Sequence, residues 1–143
     1  MPFDLDLAQL EGKVVAITGG LRGLGWGMAE RFAELGLHVA VGGRSPLRTP
    51  EGAVEGLAAF LDVADPESIE QFANLVEEEL GPVDLWVNNA GVLDPMGPVR
   101  DADPRAVRQA LEVNVGGVID ASATFARRAR TYPRARRVLV NIS

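Results

Sequence analysis

The stretch Val14-Val15-Ala16-Ile17-Thr18-Gly19-Gly20-Leu21-Arg22-Gly23-Leu24-Gly25 decides how the rest of the chain is read. Residues 14–18 are a short apolar run that stops at glycines, which fits a buried parallel strand. Residues 25–36 then place Met28, Ala29, Phe32, Ala33 and Leu35 at helical spacing, and Gly36 closes the segment as a C-cap. The glycines between strand and helix answer a backbone need, because a tight turn demands φ values that other residues resist. A bare backbone also lets a pyrophosphate approach, and the helix behind it offers N–H groups and its positive dipole end. The spacing Gly-x-x-x-Gly-x-Gly is not the usual Gly-x-Gly-x-x-Gly, and glycine turns also serve packing. On the turn alone, a phosphate cradle and a structural turn both remain open.

Working outward, Val39 to Val41 reads as a second buried strand, punctuated by Gly42 and Gly43. Residues 45–56 hold Pro46, Pro50, Gly52 and Gly56, so any helix there is short. Leu57 to Leu61 is a third strand leading into Asp62. Asp65-Pro66 starts a helix, with Asp65 as N-cap and Pro66 at its first position, running to about Leu80 and stopping at Gly81-Pro82. Val83 to Val87 is a fourth strand, followed by Asn88-Asn89-Ala90-Gly91 and a loop over 92–102. Asp103-Pro104 opens a long helix to about Arg130, and Arg137 to Ile142 is a fifth strand. Alternating strands and helices imply an α/β fold, a doubly wound parallel sheet with right-handed crossovers. The expected strand order is 3-2-1-4-5, with a ligand crevice between strands 1 and 4.

A chain of 143 residues, 47% apolar and 24% charged, suits one globular domain over residues 1–143. It has no cysteine and one histidine, His38, so neither a disulfide framework nor a metal site is expected. The net charge of −6 argues against a general nucleic-acid binder. Met1 to Gln9 carries Asp4 and Asp6 without a basic n-region, and no apolar run reaches the length of a membrane span. A cytoplasmic protein without membrane partners is the expectation. Arg127, Arg128, Arg130, Arg134, Arg136 and Arg137 could form a phosphate patch. The preferred reading is a helix C-terminus, whose carbonyl end favours cations, and a solvated loop.

Thr18-Gly19-x-x-x-Gly23-x-Gly25, Asp62-Val63 after strand 3, Asn88-Asn89-Ala90-Gly91, and Val113-Asn114-Val115 in the last helix fall in one order on successive elements. Together they resemble the short-chain dehydrogenase/reductase family, its amino-terminal Rossmann-type half, from about Gly12 to Ser143. The resemblance implies that Gly19, Gly23, Leu24 and Gly25 line a pyrophosphate. It puts Asp62 and Val63 at the adenine, and Asn88, Ala90 and Gly91 at the sheet centre and the cofactor ribose. It makes Asn114 the active-site asparagine, which bends the helix and holds a water of the proton relay. Each also has a packing reading: a sheet residue for Asn88, a helix interruption for Asn114. An acidic residue at the end of strand 2 would bond a ribose 2′-hydroxyl and favour NAD. That position, eighteen residues after Gly25, is Gly43, followed by Arg44 and Ser45. Arg44 can pair with a 2′-phosphate through its planar fork, with Arg22 as a second cation and Ser45 as a hydroxyl donor. The family reads such residues as preference for NADP(H) over NAD(H); solvated surface arginines are the alternative.

Full-length members carry a serine after strand 5 and then a Tyr-x-x-x-Lys motif, in which the lysine lowers the pKa of the general-acid tyrosine. Here the one tyrosine, Tyr132, precedes strand 5 and is followed four residues on by Arg136, and the one lysine is Lys13. Ser143 corresponds to the first of the family's Ser-Ser pair. The chain therefore reads as truncated after strand 5. Three readings stay open. It is the cofactor-binding half of an oxidoreductase acting on a small carbonyl or alcohol once the other half is supplied, or a nucleotide-binding module without chemistry. The third is a structural or interaction remnant. An unpaired fifth strand and an uncovered helix stripe (Leu111, Val115, Val118, Ile119) point to a homo-oligomer.

Overall fold

The computed structural model describes residues 7–44, 56–132 and 136–143. After a short 3-10 turn at Leu7–Leu10 come β1 (Val14–Thr18), α1 (Gly23–Glu34), β2 (His38–Gly43) and β3 (Gly56–Phe60). They are followed by α2 (Pro66–Leu80), β4 (Leu85–Asn88), α3 (Pro104–Leu111), α4 (Gly117–Thr131) and β5 (Val138–Asn141). The five strands form one sheet in the order β3-β2-β1-β4-β5, every pair parallel. This is the doubly wound arrangement expected from the alternation of elements.

β1, β2 and β4 read as continuous apolar runs because both faces of the sheet are covered there, whereas β5 is largely exposed. All five residues of β1 are buried. Val15 and Ile17 face α1 and join Val39, Val41, Leu37, Ala29 and Ala33 in one core cluster. Val14 and Ala16 face the other side, where Trp86, Phe72, Ile69, Val76 and Phe125 lie beneath α2 and α4. Trp86 anchors that layer, with its ring 6.0 Å from Phe72 in an edge-on arrangement and 6.2 Å from Phe125.

Capping residues set the helix boundaries. Asp65 accepts a hydrogen bond from the N–H of Glu67 at 3.0 Å, and Asp103 from that of Arg105 at 3.0 Å, each with proline following. Gly36, at φ +82°, lies just beyond α1, which begins at Gly23 rather than Gly25. β2 runs on through Gly42 and Gly43, which pair with Ala59 and Phe60 of β3. β4 begins at Leu85, two residues later than the apolar run suggests. The long helix expected from Pro104, with a bend or interruption at Asn114, is divided there by a π-helical turn at Glu112–Gly116. Residues 45–55, expected to hold at most a short helix, and Arg134 lie outside the described residues.

Two of the arginines in question bind α4 to α2. Arg128 contacts Glu70 at 2.8 Å, Glu77 at 2.7 Å and Asn74 at 2.7 Å, and Arg127 contacts Glu70 at 2.6 Å. Thr124 donates to Glu70 at 2.7 Å. Arg127 and Arg128 are thus ion-paired to α2, which neither the phosphate patch nor the solvated reading expected.

Candidate cofactor site

A cleft of about 940 Å³ opens at the carboxyl ends of β1, β2 and β4, within the size range of ligand pockets. Its floor is the glycine turn. Gly19 adopts φ +64°, and a Cβ there would lie 2.8 Å from the Ala90 Cα. The turn and the end of β4 therefore touch backbone to backbone, which only glycine permits. Thr18 holds them together: its Oγ1 accepts from the N–H of Asn89 at 3.1 Å and of Ala90 at 3.0 Å. The Asn89 side chain returns the link, donating to the carbonyls of Thr18 at 3.2 Å and Gly19 at 3.0 Å.

Gly19, Arg22, Gly23 and Leu24 line the cleft. Gly25 does not; it is buried behind the turn, where a Cβ would meet the Gly19 carbonyl oxygen at 2.3 Å. Its position brings the start of α1 against the turn. The first N–H groups of α1 have no carbonyl four residues earlier within the helix to bond, and they sit at its positive end. Asp62 and Val63 line the cleft beyond β3. Asp62 is fixed there, with Oδ1 accepting from the N–H of Ala64 at 3.0 Å and its own N–H donating to Ser68 Oγ at 2.9 Å. Gly43 and Arg44, at the end of β2, and Arg22, in the glycine turn, line the same cleft. Ser45 lies outside the described residues.

Ala90 and Gly91 line the opposite wall with Asn89, Val92, Leu93 and Val113. Asn88 does not. It is 3% exposed and turned into the layer beneath α4, accepting from Trp86 Nε1 at 2.9 Å and donating to Ser122 Oγ at 3.0 Å and Asn141 Oδ1 at 2.8 Å. It belongs to the sheet centre and not to the cleft wall. Asn114 lies in the π turn, and its side chain grips the backbone of Val92, accepting from its N–H at 2.8 Å and donating to its carbonyl at 2.7 Å. It holds the strand-4 loop against the helix, while Val113 beside it faces the cleft. Leu21, Leu61, Asn89, Val92, Leu93 and Val113 are cleft residues that sequence reasoning missed. Thr18 was visible in the motif without its role. Among the described residues, no group of three or more His, Cys, Asp or Glu could hold a metal ion.

The cradle fits a dinucleotide. Glycines stand where side chains would fill the turn, a helix N-terminus faces it, and Asp62, Arg22 and Arg44 are among the lining residues. The parallel 3-2-1-4-5 sheet with this glycine turn defines a Rossmann-type nucleotide-binding protein. Residues 13–143 match the short chain dehydrogenase family, and the chain belongs to it. The short chain dehydrogenase pigC of Monascus ruber is 40% identical over 131 residues, covering 82% of this chain and 43% of that protein. The short chain dehydrogenase/reductase dpmpG of Macrophomina phaseolina is 32% identical, covering 96% of this chain and 83% of that one. A solved short-chain dehydrogenase/reductase from Serratia marcescens superposes with a TM-score of 0.72 at 32% identity, over 83% of this chain and 53% of that chain. The chain thus spans less than half of pigC and about half of the Serratia enzyme. Among the described residues, no helix is long and apolar enough to cross a membrane.

Proposed function

We propose that this chain is the cofactor-binding half of a cytoplasmic, homo-oligomeric oxidoreductase that prefers NADP(H) over NAD(H) and works on a small carbonyl or alcohol. The carrying observation is that Gly43, Arg44 and Arg22 all line the cleft. No carboxylate stands at position 43 to repel a 2′-phosphate, and a guanidinium fork follows it. Gly19, Gly23 and Leu24 form the pyrophosphate cradle, with Gly25 shaping it from behind, and Asp62 and Val63 receive the adenine. Ala90 and Gly91 border the ribose, while Asn88 supports them from within the sheet. Asn114 keeps the wall over the reactive end in place through Val92, and the π turn around it is where a relay water is held. A nicotinamide held by these residues would supply or accept a hydride, and this chain's part would be to bind and orient it. Arg44→Ala should weaken NADP+ binding by about 1–3 kcal/mol and leave NAD+ nearly unchanged in parallel titrations. Equal losses for both nucleotides would show that Arg44 does not read the 2′-phosphate.

The second reading is a nucleotide-binding module without chemistry, which would use the same glycine turn and cleft. Both readings expect the isolated chain to bind nucleotide without turnover, because a bound dinucleotide alone lacks the proton donor. Steady NADPH oxidation by the pure chain with a panel of ketones and quinones would contradict them.

A further inference from the structure

We propose that Leu21 is a specificity-determining residue, whose side chain occupies the space that any side chain at position 43 would need. On this view nucleotide choice is held by the pair Leu21–Gly43 as well as by the arginines. The inference rests on the cofactor reading above and names the residue that enforces it. A Cβ at position 43 would lie 2.7 Å from Leu21 Cδ1, 3.1 Å from its Cγ and 3.5 Å from its Cβ. Turning the end of the leucine side chain removes the first contact and leaves the tight one to Cγ. Leu21 has little room to withdraw. It is 7% exposed and packed in the cluster with Ile17, Val41 and Val87. The turn that carries it is pinned on both sides, by the Gly20 N–H on the Gly42 carbonyl at 3.1 Å and by the approach of Gly19 to Ala90. Leu21 also lines the cleft, so a carboxylate placed at position 43 would be pressed against an apolar wall and lose hydration. A 2′-hydroxyl-reading acid is therefore excluded by shape before charge is considered.

Two measurements on the 143-residue chain test this. In nucleotide titrations, Gly43→Asp alone should weaken NADP+ and leave NAD+ within about twofold, whereas the Leu21→Ala/Gly43→Asp double variant should bind NAD+ about tenfold more tightly than the single one. Gly43→Asp gaining NAD+ affinity equal to that of the double variant would overturn the proposal. The second measurement is a thermal-unfolding cycle of Gly43→Ala, Leu21→Ala and their combination. Gly43→Ala should lower Tm clearly in the wild-type background and much less when Leu21 has been shortened. Equal lowering in both backgrounds would overturn the steric claim without reference to any nucleotide. Wild-type chain binding NAD+ as tightly as NADP+ would instead overturn the cofactor reading, and with it any role for Leu21 in nucleotide choice.

Discussion

Thr18 does its work through one oxygen atom that two amides share. Replacing it with the isosteric valine removes the acceptor for the N–H groups of Asn89 and Ala90 while filling the same volume. Thr18 is 1% exposed, so the cost is that of donors left unsatisfied near the sheet. Thr18→Val should lower stability by about 1–3 kcal/mol in urea unfolding. A change of a few tenths would mean that water replaces the hydroxyl. The motif around Thr18 was readable from sequence because glycine spacing is a local signal. The partner of the hydroxyl was not, since it stands some seventy positions later at the end of β4. Asn88 shows the same limit. Strand alternation puts it on the face of Trp86, two residues before it, and only the assembled sheet shows that this face is turned to α4 and away from the cleft.

At the level of elements, the strands and the starts of α2 and α3 were legible because proline, aspartate and glycine punctuate them. The π turn was not. Residues 112–116 include no proline, and one extra residue per turn leaves no mark on an apolar pattern that is already broad. The clamp between α2 and α4 was equally hidden, because glutamates and arginines on separate helices read as solvated faces. Burial pushes the Glu70 carboxyl up, but hydrogen bonds from Arg128, Thr124 and Arg127 outweigh it and lower its pKa from 4.5 to about 2. Burial likewise opposes the charge on Arg128, and Glu70 and Glu77 more than offset it, raising its pKa. A carboxyl with a lowered folded-state pKa binds protons more weakly folded than unfolded. Its stabilising contribution is therefore complete above pH 4.5 and is lost as pH falls from there towards about 2. Tm of the wild type should drop more steeply across that window than Tm of Glu70→Gln, with the two converging at its acid end. Parallel curves would show that the clamp does not titrate.

For the whole molecule, the question is what covers its apolar exterior. β5 pairs only with β4 among the described strands, and Val138, Leu139 and Ile142 are exposed beside that edge. Leu111, Val115 and Ile119 are exposed along α3, the π turn and α4. An open strand edge and an apolar stripe both favour association. The chain should sediment as a dimer or larger species at micromolar concentration, and a stable monodisperse monomer would contradict this. Sequence showed the stripe through its spacing, and the edge through the position of β5 at the end of the strand order. Nucleotide binding in the cleft can be tested without any substitution. Titrating the 143-residue chain with NADP+ and NAD+ side by side at low and at physiological salt measures both binding and preference. Both should bind saturably, NADP+ more tightly by at least about tenfold and most so at low salt, as expected for a 2′-phosphate read by Arg44 and Arg22. Binding of neither nucleotide, or tighter binding of NAD+, would contradict it.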